Sequence, residues 1–228
     1  MMNSTNVFIL NIETATKNCS VALAKNGNTI AFREIAEEGY SHAEKLHVFI
    51  EELILESSIS FQDLNAIAVS QGPGSYTGLR IGISSAKGLC YALSIPLIAV
   101  DTLQSLAAQL SISQGVIIPM IDARRMEVFS AMYDNNLDQV QATSAEIITE
   151  ESYQNHFEEI HFLGDGAPKC KALLTKTNFF FHDAIIYPSA NEMSHLSFEK
   201  YKISDTVDVA YFEPLYVKDF MITKKKTL

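Results

Sequence analysis

The stretch SQGPGSYTGLRIGISSAKGLCYAL, Ser70 to Leu93, places Gly72, Gly74 and Gly78 within seven residues and follows them with a helix-length run rich in small side chains. The apolar run before it, 65–70, reads as a strand. Ser94-Ile95-Pro96 ends the helix, because the residue before a proline avoids the α region. LIAVD, 97–101, reads as the next strand. The loop matches neither G-x-G-x-x-G nor the phosphate loop that ends in Gly-Lys-Ser/Thr. Ser75 lacks the G-x-S-x-G setting of a nucleophile. Two readings remain. A helix start presents free N–H groups that can hold an anion, and three close glycines also make a tight strand-to-helix turn.

Within the helix, Gly78, Gly82, Ser85 and Ala86 share one arc. Ile81, Leu89 and Leu93 fill the same side, and Leu79, Ile83 and Cys90 extend it. Only Arg80, Ser84, Lys87 and Tyr91 form a polar strip. The apolar arc exceeds what a helix lying on one sheet requires. Either the helix is wholly buried in a monomer, or it offers a second surface to a partner.

Toward the N-terminus, VFILNI, 7–12, is a short buried strand. Two β-type runs flank Asn26-Gly27, the dipeptide suited to a type I′ hairpin turn. SHAEKLHVFIEELILES, 41–57, opens with the capping-box pattern of Ser41 and Glu44. Leu46, Phe49, Ile50, Leu53 and Ile54 fall on one face, while Val48 and Leu55 lie opposite. Toward the C-terminus, helices are expected over 102–111, 149–157 and 189–202, and strands in GVIIPMIDA, EVFSAMYD, QVQATSAEII and IHFLGDG. The order βββαβαβα predicts an α/β fold with a mixed sheet. A second, loosely similar set of strands follows Gly115, so the boundary between two lobes is expected within residues 102–115. No strict internal repeat is visible.

The 228 residues carry a net charge of −10, a poor match for gripping a nucleic-acid backbone unaided. The basic run Lys224–Lys226 reads as a solvated terminus. Cys19, Cys90 and Cys170 form no metal or disulfide pattern and suggest reduced thiols. The lack of a signal-peptide pattern and of a membrane-length apolar run predicts a cytoplasmic protein without membrane contact.

Few residues suggest chemistry. His42 and His47, like His156 and His161, are five apart and point to different sides of a helix, so no metal site is expected. Glu13 ends the first strand, where a carboxylate can position a metal–phosphate or cap a turn. Asp122 ends a later strand, with Arg124 and Arg125 able to pair with it.

The segments ILNIETATKNCSVALAKNG, SHAEKLHVFIEELI, the glycine-loop stretch through AVDTL, PMIDARRMEVFSAMY and EPLYVKDF together resemble the TsaB (YeaZ) family, partner subunits in threonylcarbamoyladenosine modification of tRNA. The resemblance spans nearly the whole chain and is least specific over 144–208. It implies the actin-like ATPase fold, with an N-terminal lobe over 1–102 and a C-terminal lobe and tail over 103–228. It implies a non-catalytic subunit that binds a TsaD-type transferase, works with a TsaE-type ATPase, and meets tRNA only through the complex. It leaves open whether the free chain is a monomer or a homodimer and whether ATP or ADP sits at a subunit interface of the complex, and no cofactor is expected to be held by this chain directly. In the family, the two helices inserted between strands form the subunit interface. That places His42, Leu46, Val48, Phe49, Leu55, Gly78, Gly82, Ile83 and Ala86 as partner-binding candidates. Glu13, Gly72, Gly74 and Ser75 are candidates for nucleotide contact, although glutamate replaces the aspartate commonest at that strand end. The TsaD relative carries a metal-binding H-x-x-x-H, and the equivalent positions here are Thr102 and Leu106. The competing expectation is an ATPase or kinase-like enzyme using Glu13 and the glycine loop. A metalloprotease reading fails for want of the histidine pair.

Overall fold

The computed structural model describes residues 6–36 and 42–218. Strand β1 (Phe8–Glu13) lies at the centre of a first five-stranded sheet, ordered β3-β2-β1-β4-β5. β2 (Cys19–Lys25) and β3 (Asn28–Ile35) form the expected hairpin. Asn26 and Gly27 both take positive φ, 51° and 81°, as a type I′ turn demands. β4 (Ala66–Ser70) and β5 (Leu97–Val100) add in parallel on the other side of β1.

The second sheet uses the same wiring. β6 (Val116–Asp122) is its centre, and β7 (Glu127–Tyr133) and β8 (Gln139–Ile147) follow antiparallel. β9 (Ile160–Leu163) and β10 (Phe179–Phe181) follow parallel, giving β8-β7-β6-β9-β10. Two sheets of one topology make two related lobes, a repeat of connectivity that leaves no strict repeat of residues.

Helices α1 (His42–Glu56) and α2 (Tyr76–Leu93) pack side by side on one face of the first sheet. Leu46, Ile50, Leu53 and Ile54 of α1 are buried against it. Each such aliphatic side chain contributes about 1.5–3 kcal/mol by leaving water. Ser41, the expected cap of α1, lies outside the described residues, as do Lys224–Lys226. Ser75 caps α2 by accepting a hydrogen bond from the Gly78 N–H. The short helix α3 (Thr102–Ala107) packs on the second sheet and stops four residues before the expected end.

The chain then returns. Helix α4 (Ala190–Lys202) covers the opposite face of the first sheet, with Ala190 and Met193 against Ile9, Ala22, Ile98 and Val100. Residues 207–218 form a strap along α2, with Val207, Val209 and Phe212 packed against the first core. The expected division at residue 102 therefore does not extend to α4 and the strap.

The helix expected over 149–157 is instead a series of turns. Its anchor, the partly buried Tyr153, donates a hydrogen bond from its hydroxyl to Glu146 and sits at φ 60°, which interrupts an α-helix. Among the described residues no helix is long and apolar enough to cross a membrane.

Candidate functional site

The glycine loop is filled by the chain itself. Ser75 N–H donates to the Ala15 carbonyl at 2.6 Å. A Cβ at Gly74 would lie 2.2 Å from that oxygen, and one at Gly78 would lie 2.1 Å from the Thr14 carbonyl. At Gly82 it would meet Thr14 Oγ1 at 2.2 Å, the atom that donates to the Gly78 carbonyl at 2.8 Å. The glycines thus let the β1–β2 turn press directly onto the start of α2. Gly72 is covered by the strap, against the Leu215 carbonyl. Its N–H donates to Thr102 Oγ1 at 3.0 Å, and the Thr102 N–H donates back to its carbonyl.

Glu13 is fully buried and accepts from the Ala15 N–H at 2.6 Å through Oε1, while Oε2 has no hydrogen-bond partner. Burial, reinforced by the nearby Asp101 charge, pushes its pKa up to about 7 against the pull of the Ala15 N–H. Asp101 caps α3 through the Leu103 and Gln104 N–H groups and accepts from the Tyr133 hydroxyl, and burial raises its pKa too.

Thr102 and Leu106, the two positions that the resemblance sets against a histidine pair, are both fully buried. Thr102 ties down the glycine loop, and Leu106 joins the apolar cluster of α3, β6 and β7. No group of three His, Cys, Asp or Glu side chains among the described residues is arranged to hold a metal ion.

A cleft of about 630 Å³ separates the lobes. Thr16, Lys17, His42, Gly74 and Ser75 line one side, and Asp122, Arg124, Phe129 and Asp165 the other. Of the nucleotide candidates, Gly74 and Ser75 reach this cleft, whereas Glu13 and Gly72 do not line it. Asp122 pairs with Lys169 and accepts from the Arg124 backbone N–H, in place of the expected arginine side chains. Despite partial burial, that company holds Asp122 below the usual carboxylate range. A metal–nucleotide does not fit here. The carboxylate at the end of β1 is turned into the core, and the loop amide of Ser75 is already committed to Ala15.

The outer face of α1 and α2 is different. Val48 is 45% exposed and Leu55 78% exposed, as their place opposite the buried stripe predicts. Glu44 and Glu51 share that face, while Ala43 and His47 are exposed on the flank toward α2. On α2, Arg80, Ser84, Gly88, Tyr91 and Ala92 are exposed, and a Cβ at Gly88 would meet nothing within 4 Å. A groove of about 530 Å³ runs between the helices, lined by His47, Tyr76, Thr77, Arg80, Ile81 and Ser84 among others.

The nine partner-binding candidates divide accordingly. Val48 and Leu55 are at the surface. Phe49 is half-buried, and His42 donates from Nε2 to the Thr16 carbonyl at 2.9 Å while bordering the cleft. Leu46, Gly78, Gly82, Ile83 and Ala86 are buried against the chain's own sheet and β1–β2 turn, so they shape α1 and α2 from beneath and offer no outer surface. The outward small residues are Ser84, Gly88 and Ala92, a line at the same four-residue spacing that sequence reasoning passed over.

Residues 34–225 match the family profile of TsaD, tRNA N6-adenosine threonylcarbamoyltransferase. The chain is 31% identical over 226 residues to the tRNA threonylcarbamoyladenosine biosynthesis protein TsaB of Escherichia coli K12, covering 95% of this chain and 97% of that one. The chain belongs to the TsaB family. This TsaB-family chain also superimposes on YeaZ from Pseudomonas aeruginosa with a TM-score of 0.78 at 25% identity, covering 92% and 99% of the two chains. Component A of the (R)-2-hydroxyglutaryl-CoA dehydratase of Acidaminococcus fermentans shares the actin-like fold alone, at TM-score 0.51 and 8% identity over 87% of this chain and all of that one.

Proposed function

We propose that this chain is a partner subunit in tRNA threonylcarbamoyladenosine biosynthesis, docking a TsaD-type transferase through the outer face of α1 and α2. The observation that carries the reading is the pairing of an exposed helical face with a glycine loop filled by the chain itself. Val48 and Leu55 stand exposed on α1 beside the bare ridge of Ser84, Gly88 and Ala92. The positions that the resemblance sets against the TsaD histidine pair are Thr102 and Leu106, neither of which coordinates a metal as imidazole does. A chain of net charge −10 has little counterion release to draw on for tRNA, so tRNA is reached through the complex. In this reading a TsaE-type ATPase joins the assembly, and ATP or ADP is held at a boundary between subunits. The free chain self-associates through the same face.

The test is reconstitution with threonylcarbamoyl-AMP and tRNA. The modified nucleoside is expected with the TsaD-type partner, the TsaE-type ATPase and this chain together, and absent with this chain alone. Modification by the isolated chain would overturn the reading, as would full activity of the other components without it.

A further inference from the structure

Arg80 stands out among the exposed side chains of the docking face. Its guanidinium lies 3.9 Å above the Tyr76 ring, and its Nε donates to the Tyr216 hydroxyl at 3.1 Å. Tyr216 in turn packs on Tyr76, with ring centroids 4.8 Å apart. Arg80 makes no ion pair with a carboxylate among the described residues. Arg33, by contrast, reaches both Glu52 and Glu56. An arginine loses side-chain freedom when it is stacked and hydrogen-bonded, and a charge held that way is suited to an incoming anion.

Tyr216 comes from the strap, whose path is fixed at several points. Val207 N–H donates to the Leu97 carbonyl at the edge of the first sheet. Lys87 Nζ donates to the carbonyls of Ala210 and Phe212, and Leu215 N–H donates to the Gln71 carbonyl at 2.7 Å. Lys218 then pairs with Glu127 of β7, in the other lobe. The strap thus runs along the flank of α2 through Lys87, Arg80 and Tyr76. α1 takes the other flank, with His47 Nε2 3.4 Å from Ser85 Oγ. Arg80 lines the groove between the helices. The exposed carboxylates on this face, Glu44, Glu51 and Glu52, belong to α1 and leave Arg80 unpaired.

We infer that the strap is part of the docking face, and that Tyr216 holds the Arg80 guanidinium as the anchor for a carboxylate on the partner subunit. The inference rests on the docking reading above and adds the chemistry of the partner's contact. Charge complementarity sets the occupant: a segment of the TsaD-type subunit with an acidic side chain over Arg80 and basic ones facing Glu44 and Glu51. Tyrosine and arginine are the side chains that most often carry binding energy at interfaces. Tyr216 is a positioning residue, because it acts through Arg80.

The experiment titrates the TsaD-type subunit of the same organism into the full chain and into Arg80→Ala, Arg80→Gln, Arg80→Lys and Tyr216→Phe, with circular dichroism as the folding control. Arg80→Gln keeps the stem on Tyr76 and removes the charge, so it decides the matter if the alanine variant is poorly folded. Arg80→Ala and Arg80→Gln are expected to weaken binding at least tenfold, Arg80→Lys nearly as much, and Tyr216→Phe about threefold. Affinity of the wild type is expected to fall between about 50 and about 500 mM salt, and this dependence should flatten in Arg80→Gln. Wild-type affinity or an unchanged salt slope in Arg80→Gln overturns the inference. Wild-type binding by Tyr216→Phe removes the strap from it. Loss confined to self-association, seen by sedimentation, overturns it also. Val48→Glu with Leu55→Lys separates the two levels: if that variant binds normally, the docking face itself is misplaced, whereas if it fails to bind and the Arg80 variants bind normally, only the anchor is wrong.

Discussion

Replacing Glu13 by glutamine tests whether the carboxyl at the end of β1 is a buried acid or a ligand-binding group. Its pKa in the folded chain is about 7, against 4.5 for an ordinary glutamate, with burial the main cause. Between those two values the folded chain holds a proton that the unfolded chain has released. Wild-type stability therefore falls as pH rises from about 4.5 to about 7, by up to 1.4 kcal/mol per pH unit, and levels off above. The difference of roughly 2.5 units corresponds to about 3 kcal/mol lost by pH 8. Glutamine keeps the acceptor for the Ala15 N–H and offers its own N–H₂ to Ser70, whose Oγ is likewise buried without a partner. Glu13→Gln should thus match the wild type near pH 4.5 and exceed it by about 2–3 kcal/mol at pH 8. Urea denaturation followed by circular dichroism at several pH values measures the difference. A gap that stays constant with pH would show that Glu13 is ionised in the folded chain. A variant less stable than wild type at pH 8 would show that the charge is wanted there.

Two glycines of α2 should respond in opposite directions. Gly82→Ala brings a methyl onto Thr14 Oγ1 and should destabilise the chain by about 1–3 kcal/mol despite the gain in helix propensity, whereas Gly88→Ala, in open space, should stabilise the free chain by about 0.5–1 kcal/mol. Equal melting shifts of the same sign would contradict the assigned faces. All three thiols are buried, and burial pushes Cys19 up to about 11 and Cys90 up to about 12. Ellman's reagent should find no fast thiol in the folded chain at pH 8 and all three in concentrated urea; one rapidly reacting equivalent would show a thiol at the surface.

Much of the first lobe was legible from residue type. Asn26-Gly27 placed the hairpin, Pro96 placed the end of α2, and the stripe Leu46–Ile50–Leu53 placed the inner face of α1. The second lobe was less so. β10 is three residues long and takes its place from pairing with β9, a contact distant in sequence. The segment 149–157 has too few apolar residues to hold a helix once Tyr153 is pinned by Glu146. At the site, periodicity identified the two helices but could not say what covers each face of α2. Gly78, Gly82 and Ala86 share the small-residue spacing with Ser84, Gly88 and Ala92, and only the approach of Thr14 and Ala15 decides which line faces inward. The depth of Glu13 and the path of the strap over Arg80 likewise follow from long-range packing that no local pattern records.

The central claim is that the exposed side of α1 and α2 is where the partner sits. Its most direct measurement is the affinity of the TsaD-type subunit for wild type and for Val48→Glu with Leu55→Lys. Both substituted side chains are solvent-exposed in the free chain, so circular dichroism should report an unchanged fold. Burying unpaired charge at an interface costs several kcal/mol, enough to abolish a micromolar association. The account predicts a folded chain that no longer binds its partner or itself. A folded double variant that binds like wild type would contradict it.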